Sequence, residues 1–281
     1  MVVLVTGTNG QLGQAIQFVA TNYPNIRFVF CSSLDLDISN KDNCESVFNN
    51  EKPDFCINAA AYTAVDKAES EPKKAELINV IGAKNLAESC KNFNTKLIHI
   101  STDFVFDGSK KEPYNETDLP SPKGVYGQTK LNGEKAIQEV FDAYFIIRTS
   151  WVYSQFGNNF MKTMLRLASE RTSLSVVNDQ IGTPTNAVDL ANAILKILES
   201  KTSNNQYGIY NFSNEGQCSW FDFAKKIFEI NQVKIDLIPI PTTQFPTPAA
   251  RPKYSTLDKS KIKTAFGIEI KPWEQSIEMY K

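Results

Sequence analysis

Residues 2–16 read VVLVTGTNGQLGQAI and place a glycine-rich turn between an apolar run and a helical pattern. Val2 to Val5 is short and apolar, as a buried strand is. Leu12, Ala15 and Ile16 are spaced as one face of a helix. Where a strand turns into a helix, free backbone N–H groups and the helix dipole suit a pyrophosphate. The stretch predicts a dinucleotide site; the alternative is a tight strand-to-helix turn that binds nothing.

Glycine at positions 7, 10 and 13 supports the first interpretation. A Cβ at these places would block the turn, the approach of the phosphates, or the packing of helix on strand. The strand and helix on either side give the triplet the context that an isolated triplet lacks.

Short apolar runs alternate with helical patterns along the chain, which predicts an α/β fold with a doubly wound parallel sheet of the Rossmann type. Residues 1–150 are expected to form the dinucleotide-binding domain, to which the chain returns later, near residues 183–213. Residues 151–281 are expected to form mainly a smaller C-terminal α/β substrate-binding domain. The predicted strands include Phe28 to Phe30, Phe55 to Ile57, Leu97 to Ile100, Phe145 to Ile147 and Ile209 to Phe212. Helical patterns in the second half cover about 158–170, 187–199 and 219–230.

Proline punctuates the chain from Ile238 to Tyr254, at positions 239, 241, 246, 248 and 252. Because proline removes a backbone donor and fixes φ, we expect an ordered loop over a pocket here rather than regular structure.

Composition excludes several classes of protein. The 281 residues are 42% hydrophobic and 22% charged, with a formal net charge of −1, so a nucleic-acid partner is not expected. No stretch has the apolar length of a membrane span, and the N-terminus lacks a secretory pattern. The five cysteines show no Cys-x-x-Cys spacing and are expected to be reduced thiols, so we expect a cytoplasmic protein.

One histidine, His99, lies within an apolar run and is expected to be a core residue rather than a base. A single histidine cannot supply a His-rich metal site, and acidic residues show no ligand spacing, so no metal site is predicted. The sequence leaves open whether Mg²⁺ assists and whether the chain forms a homodimer.

Tyr126 and Lys130 are the most chemically suggestive pair. A spacing of four puts both side chains on one face of a helix, where an ammonium is expected to lower the phenol pKa from its usual value of about 10. Such a tyrosine can act as an acid or base near neutral pH. Thr102 ends a predicted strand, and ligands of doubly wound sheets collect at the carboxyl ends of strands.

These motifs together resemble the extended short-chain dehydrogenase/reductase family, and within it the reductases of nucleotide-linked 4-keto-6-deoxysugars. The resemblance spans essentially the whole chain. It rests on seven segments, residues 7–13 (GTNGQLG), 58–66 (NAAAYTAVD), 101–108 (STDFVFDG), 126–130 (YGQTK), 148–153 (RTSWVY), 179–185 (DQIGTPT) and 251–257 (RPKYSTL).

The resemblance implies hydride transfer from NADPH or NADH to the C4 carbonyl of a nucleotide sugar. Tyr126 would protonate the forming alkoxide, Lys130 would hold the nicotinamide ribose and tune the tyrosine, and Thr102 would bind the carbonyl oxygen. The implied cofactor-binding residues are Gly7, Asn9, Gly10, Gln11, Leu12, Gly13, Asp37, Ile38, Ala59, Ala60, Tyr62, Asn79, Tyr126 and Lys130. The implied substrate-binding residues are Thr102, Asp103, Val105, Phe106, Trp151 and Arg251.

Several of these residues keep a structural alternative. Asp37 could cap a helix or form a turn. Asn79 could support a hydrogen-bond network at the site or face solvent. Trp151 could be a core residue and Arg251 a surface residue.

Two departures from the family pattern bear on the expected chemistry. Phe104 stands where related reductases often have Tyr, which keeps the ring and loses a hydroxyl. Ser32 and Ser33 stand where an acidic residue would bind a ribose 2′-hydroxyl, so no carboxylate is expected to repel a 2′-phosphate and no Arg to attract one. We therefore expect dual cofactor use with a slight preference for NADPH.

Two other functions stay open from the sequence. One is another sugar-nucleotide enzyme of the superfamily, a dehydratase or an epimerase, although dehydratases typically carry Glu at the position of Phe104. The other is a non-catalytic, reductase-like regulatory subunit, which intact Thr102, Tyr126 and Lys130 disfavour.

Overall fold

A computed structural model describes residues 1–200 and 206–280. In this part of the chain the strands are β1 (Val2–Thr6), β2 (Arg27–Cys31), β3 (Phe55–Asn58), β4 (Lys96–Thr102), β5 (Tyr144–Thr149), β6 (Val152–Tyr153), β7 (Ser173–Val177), β8 (Ile181–Gly182), β9 (Thr185–Asn186), β10 (Gly208–Asn211), β11 (Cys218–Ser219) and β12 (Asp236–Ile240). None of the helices in these residues is long and apolar enough to cross a membrane.

The α-helices alternate with these strands. They are α1 (Gln11–Ala20), α2 (Lys41–Glu51), α3 (Val65–Ala68), α4 (Pro72–Glu76), α5 (Gly82–Asn92), α6 (Val125–Val140), α7 (Phe160–Glu170), α8 (Ala187–Glu199), α9 (Trp220–Ile230), α10 (Ser260–Phe266) and α11 (Trp273–Ile277). A π-helical turn, Leu77–Ile81, joins α4 to α5.

Six strands form one parallel sheet in the order β10-β5-β4-β3-β1-β2. The chain runs from β1 to β2 on one side and from β3 through β4 to β5 on the other. The order therefore reverses between β1 and β3, and in such a sheet this point opens a crevice at the carboxyl ends. The predicted α/β class with a doubly wound parallel sheet is confirmed.

Helices cover both faces of the sheet, which explains why its central strands are apolar on both sides. On one face, Leu12, Ala15 and Ile16 of α1 join residues of α8 and α10 in one buried cluster. On the other face, Phe48 of α2 and Leu86 of α5 belong to a second cluster. The strand runs and helical patterns read from the sequence correspond to these elements.

The second half contributes a lobe of its own and also returns to the sheet. Its core surrounds Phe223 of α9 and includes residues of α7, β7 and α11, whereas α8 and β10 belong to the layers of the central sheet. The boundary at residue 150 stays a prediction, and residues 201–205 of the predicted return lie outside the described residues.

One expectation for this half is wrong in part. The proline-rich stretch begins with strand β12, which pairs in parallel with β7 although it contains Pro239. Both strands form a sheet of only two, so Pro239 occupies an edge, where the missing donor costs little. Beyond β12 the chain has one short 3₁₀ turn, Thr242–Gln244, before Arg251.

Helix α6 packs closely on the π-helical turn through Gly133. A Cβ built at this glycine would overlap the carbonyl oxygen of Asn79. The next residue, Glu134, is buried and forms an ion pair with Arg148 of β5, at 2.6 Å between Oε2 and Nη2. These contacts fix α6 against both the sheet and the π-helical turn.

We expect Gly133→Ala to lower the free energy of unfolding by about 1–3 kcal/mol, because the added methyl group forces α6 away from a backbone atom that cannot yield. Urea titration measures the loss. Gln128→Ala on the exposed side of the same helix is the control and should change stability by less than about 0.5 kcal/mol. Equal stabilities for the two variants would contradict the close packing of α6.

Candidate active site

A cleft of about 1000 Å³ lies at the carboxyl ends of the central strands. It is lined by the glycine turn, by residues after β2, β3, β4 and β5, by the start of α6, and by Trp220 and Arg251 from the second half. Of the sequence-predicted residues, the cleft brings together Gly7, Asn9, Gly10, Gln11, Leu12, Asp37, Ile38, Ala59, Ala60, Thr102, Asp103, Tyr126, Lys130, Trp151 and Arg251.

The turn after β1 forms one end of this cleft. Gly7 has a φ of +66°, and a Cβ there would lie 2.5 Å from the amide nitrogen of Ala60. Gly13 does not line the cleft; its missing Cβ lets α1 pack on the backbone of the turn. The first N–H groups of a helix have no intrahelical acceptors. Because Gly10, which precedes α1, offers no side-chain cap, no capping side chain occupies these groups. This cradle fits a pyrophosphate.

Gln11 connects the turn to the second half of the chain. Its side-chain nitrogen donates to the carbonyl of Val152 at 3.1 Å, and its oxygen accepts from Ser154 and Asn159. The residues around this contact, 157–160, also line the cleft and were missed from sequence, because no local pattern marks them.

Asp37 combines both interpretations considered from sequence. It lines the cleft, and its carboxylate also accepts from the backbone and hydroxyl of Ser39 in a turn before α2.

A carboxylate also lies near the end of β2, contrary to expectation. Ser32 donates from its backbone nitrogen and its hydroxyl to Asp35, at 2.9 and 2.7 Å. These bonds hold the pKa of the Asp35 carboxyl below its usual value, so it is charged at neutral pH. The premise that no carboxylate approaches this position was wrong, because a residue three positions further along folds back on Ser32.

Two predicted cofactor residues, Tyr62 and Asn79, lie behind the residues that line the cleft. Tyr62 is buried, with its hydroxyl on Glu71, and does not line the cleft. Asn79 is 1% exposed, so the solvent-facing alternative is wrong. Its side chain accepts from the backbone nitrogen of Tyr62 and donates to Thr129. Both residues therefore support the loop that carries Ala59 and Ala60, and π-helical turns such as the one holding Asn79 often occur at functional sites.

Thr102, Tyr126 and Lys130 meet in the cleft. Thr102 ends β4, Tyr126 lies in the first turn of α6, and Lys130 follows one turn later. Burial raises the pKa of Tyr126 to about 12; a hydrogen bond with Thr102 opposes the rise and the Asp103 carboxylate adds to it. The phenol is therefore protonated near neutral pH.

The expected lowering of the Tyr126 pKa is not found, because burial raises this pKa instead. The Lys130 ammonium has other partners. Its Nζ donates to the carbonyl of Ile100 at 2.6 Å and lies 3.3 Å from Nε2 of His99. Burial lowers the pKa of Lys130 to about 8, against the attraction of Glu134. His99 is buried, its Nδ1 is 3.0 Å from the amide nitrogen of Asn58, and it behaves as the satisfied core residue expected.

Asp103 offers an acceptor to a ligand. It is 2% exposed, one carboxylate oxygen lies 3.1 Å from the Thr102 hydroxyl, and the other has no partner among the described residues. Burial raises the pKa of this carboxyl to about 6. Hydrogen bonds from Ser255 and Thr102 oppose this rise, and the residue lines the cleft.

The expectation for Val105 and Phe106 is corrected. Both are almost fully buried in a cluster with Tyr114, Leu131 and Leu257, and neither lines the cleft. A 3₁₀ turn over residues 103–105 leaves Asp103 and Phe104 at the cleft, whereas Val105 and Phe106 pack in the core.

Arg251 lies at the cleft with its fork engaged. Its two terminal nitrogens donate to Asp66 at 3.0 and 2.7 Å, and one also donates to the carbonyl of Ala249. Asp66 opens helix α3, so this pair joins the dinucleotide-binding half to the loop before the C-terminus. In the described residues, no group of three or more His, Cys, Asp or Glu side chains is arranged to hold a metal ion.

The parallel sheet, the glycine cradle at its reversal point and the Thr-Tyr-Lys set define a protein of the extended short-chain dehydrogenase/reductase class. A family model described as the RmlD substrate binding domain matches residues 1–280, and the chain belongs to this family. The resemblance read from the motifs is confirmed.

Named relatives cover nearly the whole chain. A dTDP-4-dehydrorhamnose reductase of Aggregatibacter actinomycetemcomitans is 42% identical, over 98% of this chain and 96% of its own length. The solved structure of a dTDP-4-dehydrorhamnose reductase from Clostridium acetobutylicum is 42% identical with a TM-score of 0.95, covering 100% of this chain and 98% of that one. The Bacillus anthracis enzyme of that name, solved in complex with NADP, is 41% identical with a TM-score of 0.94, covering 99% and 98%.

We expect the Lys130 ammonium to lose its proton as the pH rises through about 8, well below its ordinary pKa of 10.5, because burial disfavours the charged form. NMR of protein labelled with ¹⁵N-lysine measures the titration, and Lys130→Met assigns the signal by its loss. The exposed Lys41 is the internal control and should titrate at or above its ordinary value, because Glu88 stabilises its charge. A Lys130 signal that titrates alongside Lys41 would contradict the desolvation argument.

Proposed function

We propose that this chain reduces the C4 carbonyl of dTDP-4-dehydro-L-rhamnose with NADPH or NADH and forms dTDP-L-rhamnose. The observation that carries the proposal is that Thr102 and Tyr126 line the same cleft as the glycine cradle. The dTDP-4-dehydrorhamnose reductases that match over nearly the full length supply the substrate class.

The cradle fits the cofactor in kind. The absence of a Cβ at Gly7 lets the turn lie against Ala60, and its absence at Gly13 lets α1 lie against the turn. The first N–H groups of α1 then remain available for a pyrophosphate. Gly7, Gly10, Gln11 and Leu12 would hold the diphosphate, Asp37 and Ile38 the adenine, and Ala59 and Ala60 the nicotinamide half. When bound, the reduced nicotinamide supplies the hydride.

The chain's own residues manage the proton and the charge. Tyr126, protonated at neutral pH because its pKa is about 12, gives its proton to the alkoxide oxygen formed at C4. Thr102 donates a hydrogen bond to the same oxygen, which stabilises charge as it develops. Lys130, held by the Ile100 carbonyl, presents an ammonium below pH of about 8 beside the site where a ribose would bind.

Other residues recognise the nucleotide sugar. The free oxygen of Asp103 accepts from a sugar hydroxyl, Trp151 contacts the sugar ring, and the Arg251 fork binds the diphosphate. The five cysteines are free and buried, which supports a reducing, cytoplasmic location.

We expect Tyr126→Phe to lower turnover of dTDP-4-dehydrorhamnose by about 10² or more, because it removes the proton donor and keeps the ring. Loss of NADPH or NADH absorbance measures the rate. The affinities for the cofactor and for the nucleotide sugar, and the melting temperature, serve as controls and should stay close to those of wild type.

Equal rates for Tyr126→Phe and wild type would remove the tyrosine from its role. A wild type that binds both ligands and turns over neither cofactor would instead favour the non-catalytic subunit.

We expect Asp35→Asn to shift cofactor preference toward NADPH by a few-fold, because it removes a negative charge beside Ser32 where a 2′-phosphate would lie. The ratio of kcat/KM for NADPH to that for NADH measures the shift. Asp42→Asn, an exposed acid in the first turn of α2, is the matched control and should leave the ratio unchanged. An unchanged ratio in Asp35→Asn would show that Asp35 does not face the 2′ position.

A further inference from the structure

Trp151 adopts a backbone conformation that a tryptophan rarely holds. Its φ is +47°, in the left-handed region, where the Cβ of an L-residue crowds the following carbonyl. Such a conformation persists only when surrounding contacts determine it, and it is commonest at functional sites. The contacts that hold Trp151 therefore indicate which role its side chain has in the cleft.

Trp220 is the main contact of the Trp151 indole. The two rings stack with centroids 3.5 Å apart and planes 11° apart, and Phe160 packs on Trp220 with a centroid distance of 4.6 Å. Gly182 also lies against the indole, since a Cβ there would be 2.6 Å from Cε2 of Trp151. The backbone of Trp151 is held as well, because its carbonyl accepts from Thr185 at 3.2 Å.

The fold carries Trp220 to this place on rigid elements. Strands β8 and β11 pair antiparallel, with Cys218 opposite Gly182. Ser219 then caps α9 in a reciprocal capping box with Asp222, and Trp220 is the first residue of that helix. Trp220 begins a helix of the second lobe, whereas Trp151 follows a strand of the central sheet, so the stack joins the two halves at the cleft.

The strand register fixes which part of a ligand would meet this stack. Thr102 pairs with Thr149 across β4 and β5, and Trp151 lies two residues beyond Thr149. Trp151 therefore follows the strand next to the one that Thr102 ends, and both indoles line the cleft with Thr102. Under the proposed function the C4 carbonyl lies at Thr102, so we expect the sugar ring rather than the nucleobase at this stack.

We propose that Trp220 is a positioning residue: it holds the Trp151 indole as a preformed wall for the sugar ring of the nucleotide sugar. The inference rests on the proposed function for the identity of the ligand. Gly182 belongs to the same device, because a side chain at that position would displace the indole that Trp220 holds. A wall fixed before binding saves the cost of ordering a large side chain when the ligand arrives.

The first test compares dTDP-L-rhamnose with dTDP by calorimetry, so that the sugar is the only difference. We expect Trp220→Ala to weaken dTDP-L-rhamnose about tenfold and to leave dTDP within about twofold, because only the sugar meets the wall. Trp220→Phe should recover part of the loss. In turnover assays the same loss should appear in KM for the sugar nucleotide and not in KM for the cofactor.

The matched control is Trp273→Phe, which removes a buried indole of the same lobe that does not line the cleft. This variant should leave the affinities for dTDP and dTDP-L-rhamnose unchanged, even if its melting temperature falls. Equal weakening of dTDP and dTDP-L-rhamnose in Trp220→Ala would overturn the proposal, as would an unchanged affinity for dTDP-L-rhamnose. A wild type without turnover would refute the proposed function and leave this calorimetric test standing.

The second test reads the stack itself. Two indoles at 3.5 Å give an exciton couplet in circular dichroism, which we expect in wild type and in Trp273→Phe. Trp220→Phe and Gly182→Ala should abolish it, and Gly182→Ala should also weaken dTDP-L-rhamnose without altering any group at the wall. The couplet should persist when dTDP-L-rhamnose is added. Its disappearance on binding would overturn the proposal, because the stack would then open for the ligand.

Discussion

The close approach of the turn after β1 to the end of β3 sets the position of every other part of the site. Gly7 lies against the backbone of Ala59 and Ala60, and Thr6 donates to Asn58 at 2.8 Å across the same two strands. The backbone nitrogen of Ala60 donates to the side-chain oxygen of Asn58 at 3.2 Å. Because this contact lies at the reversal of strand order, the cradle and the hydroxyls of Thr102 and Tyr126 open into one cleft.

Desolvation then decides the chemistry inside that cleft. The same burial that keeps the Tyr126 phenol protonated makes the Lys130 ammonium easier to deprotonate, so the two groups are driven in opposite directions. The sequence predicted that the two residues share a helix face, and they do. It could not predict that Lys130 would bind the Ile100 carbonyl, because that partner belongs to a strand 30 residues earlier.

Local pattern was enough for the fold and for the residues on strand ends and helix starts. The strand runs, the glycine turn and the 3.6-residue periodicity are encoded within short windows, and they placed Thr102, Tyr126 and the cradle. Features that depend on distant pairing were missed or wrong: Asp35 folds back on Ser32, Phe106 turns into the core, and Trp220 arrives through the pairing of β8 with β11. Each is settled by tertiary contacts that no single window contains.

Under the proposed function, capture of the diphosphate by Arg251 brings a second anion to a guanidinium that Asp66 already holds. A diphosphate that takes the two terminal nitrogens of the guanidinium competes with a carboxylate already bound through two hydrogen bonds. The gain is then the difference between two ion pairs, so entry adds little net attraction. The displaced carboxylate stays tethered to α3 and competes for the fork from the moment the ligand loosens. Such a pairing lowers the affinity for the diphosphate and raises its rate of dissociation.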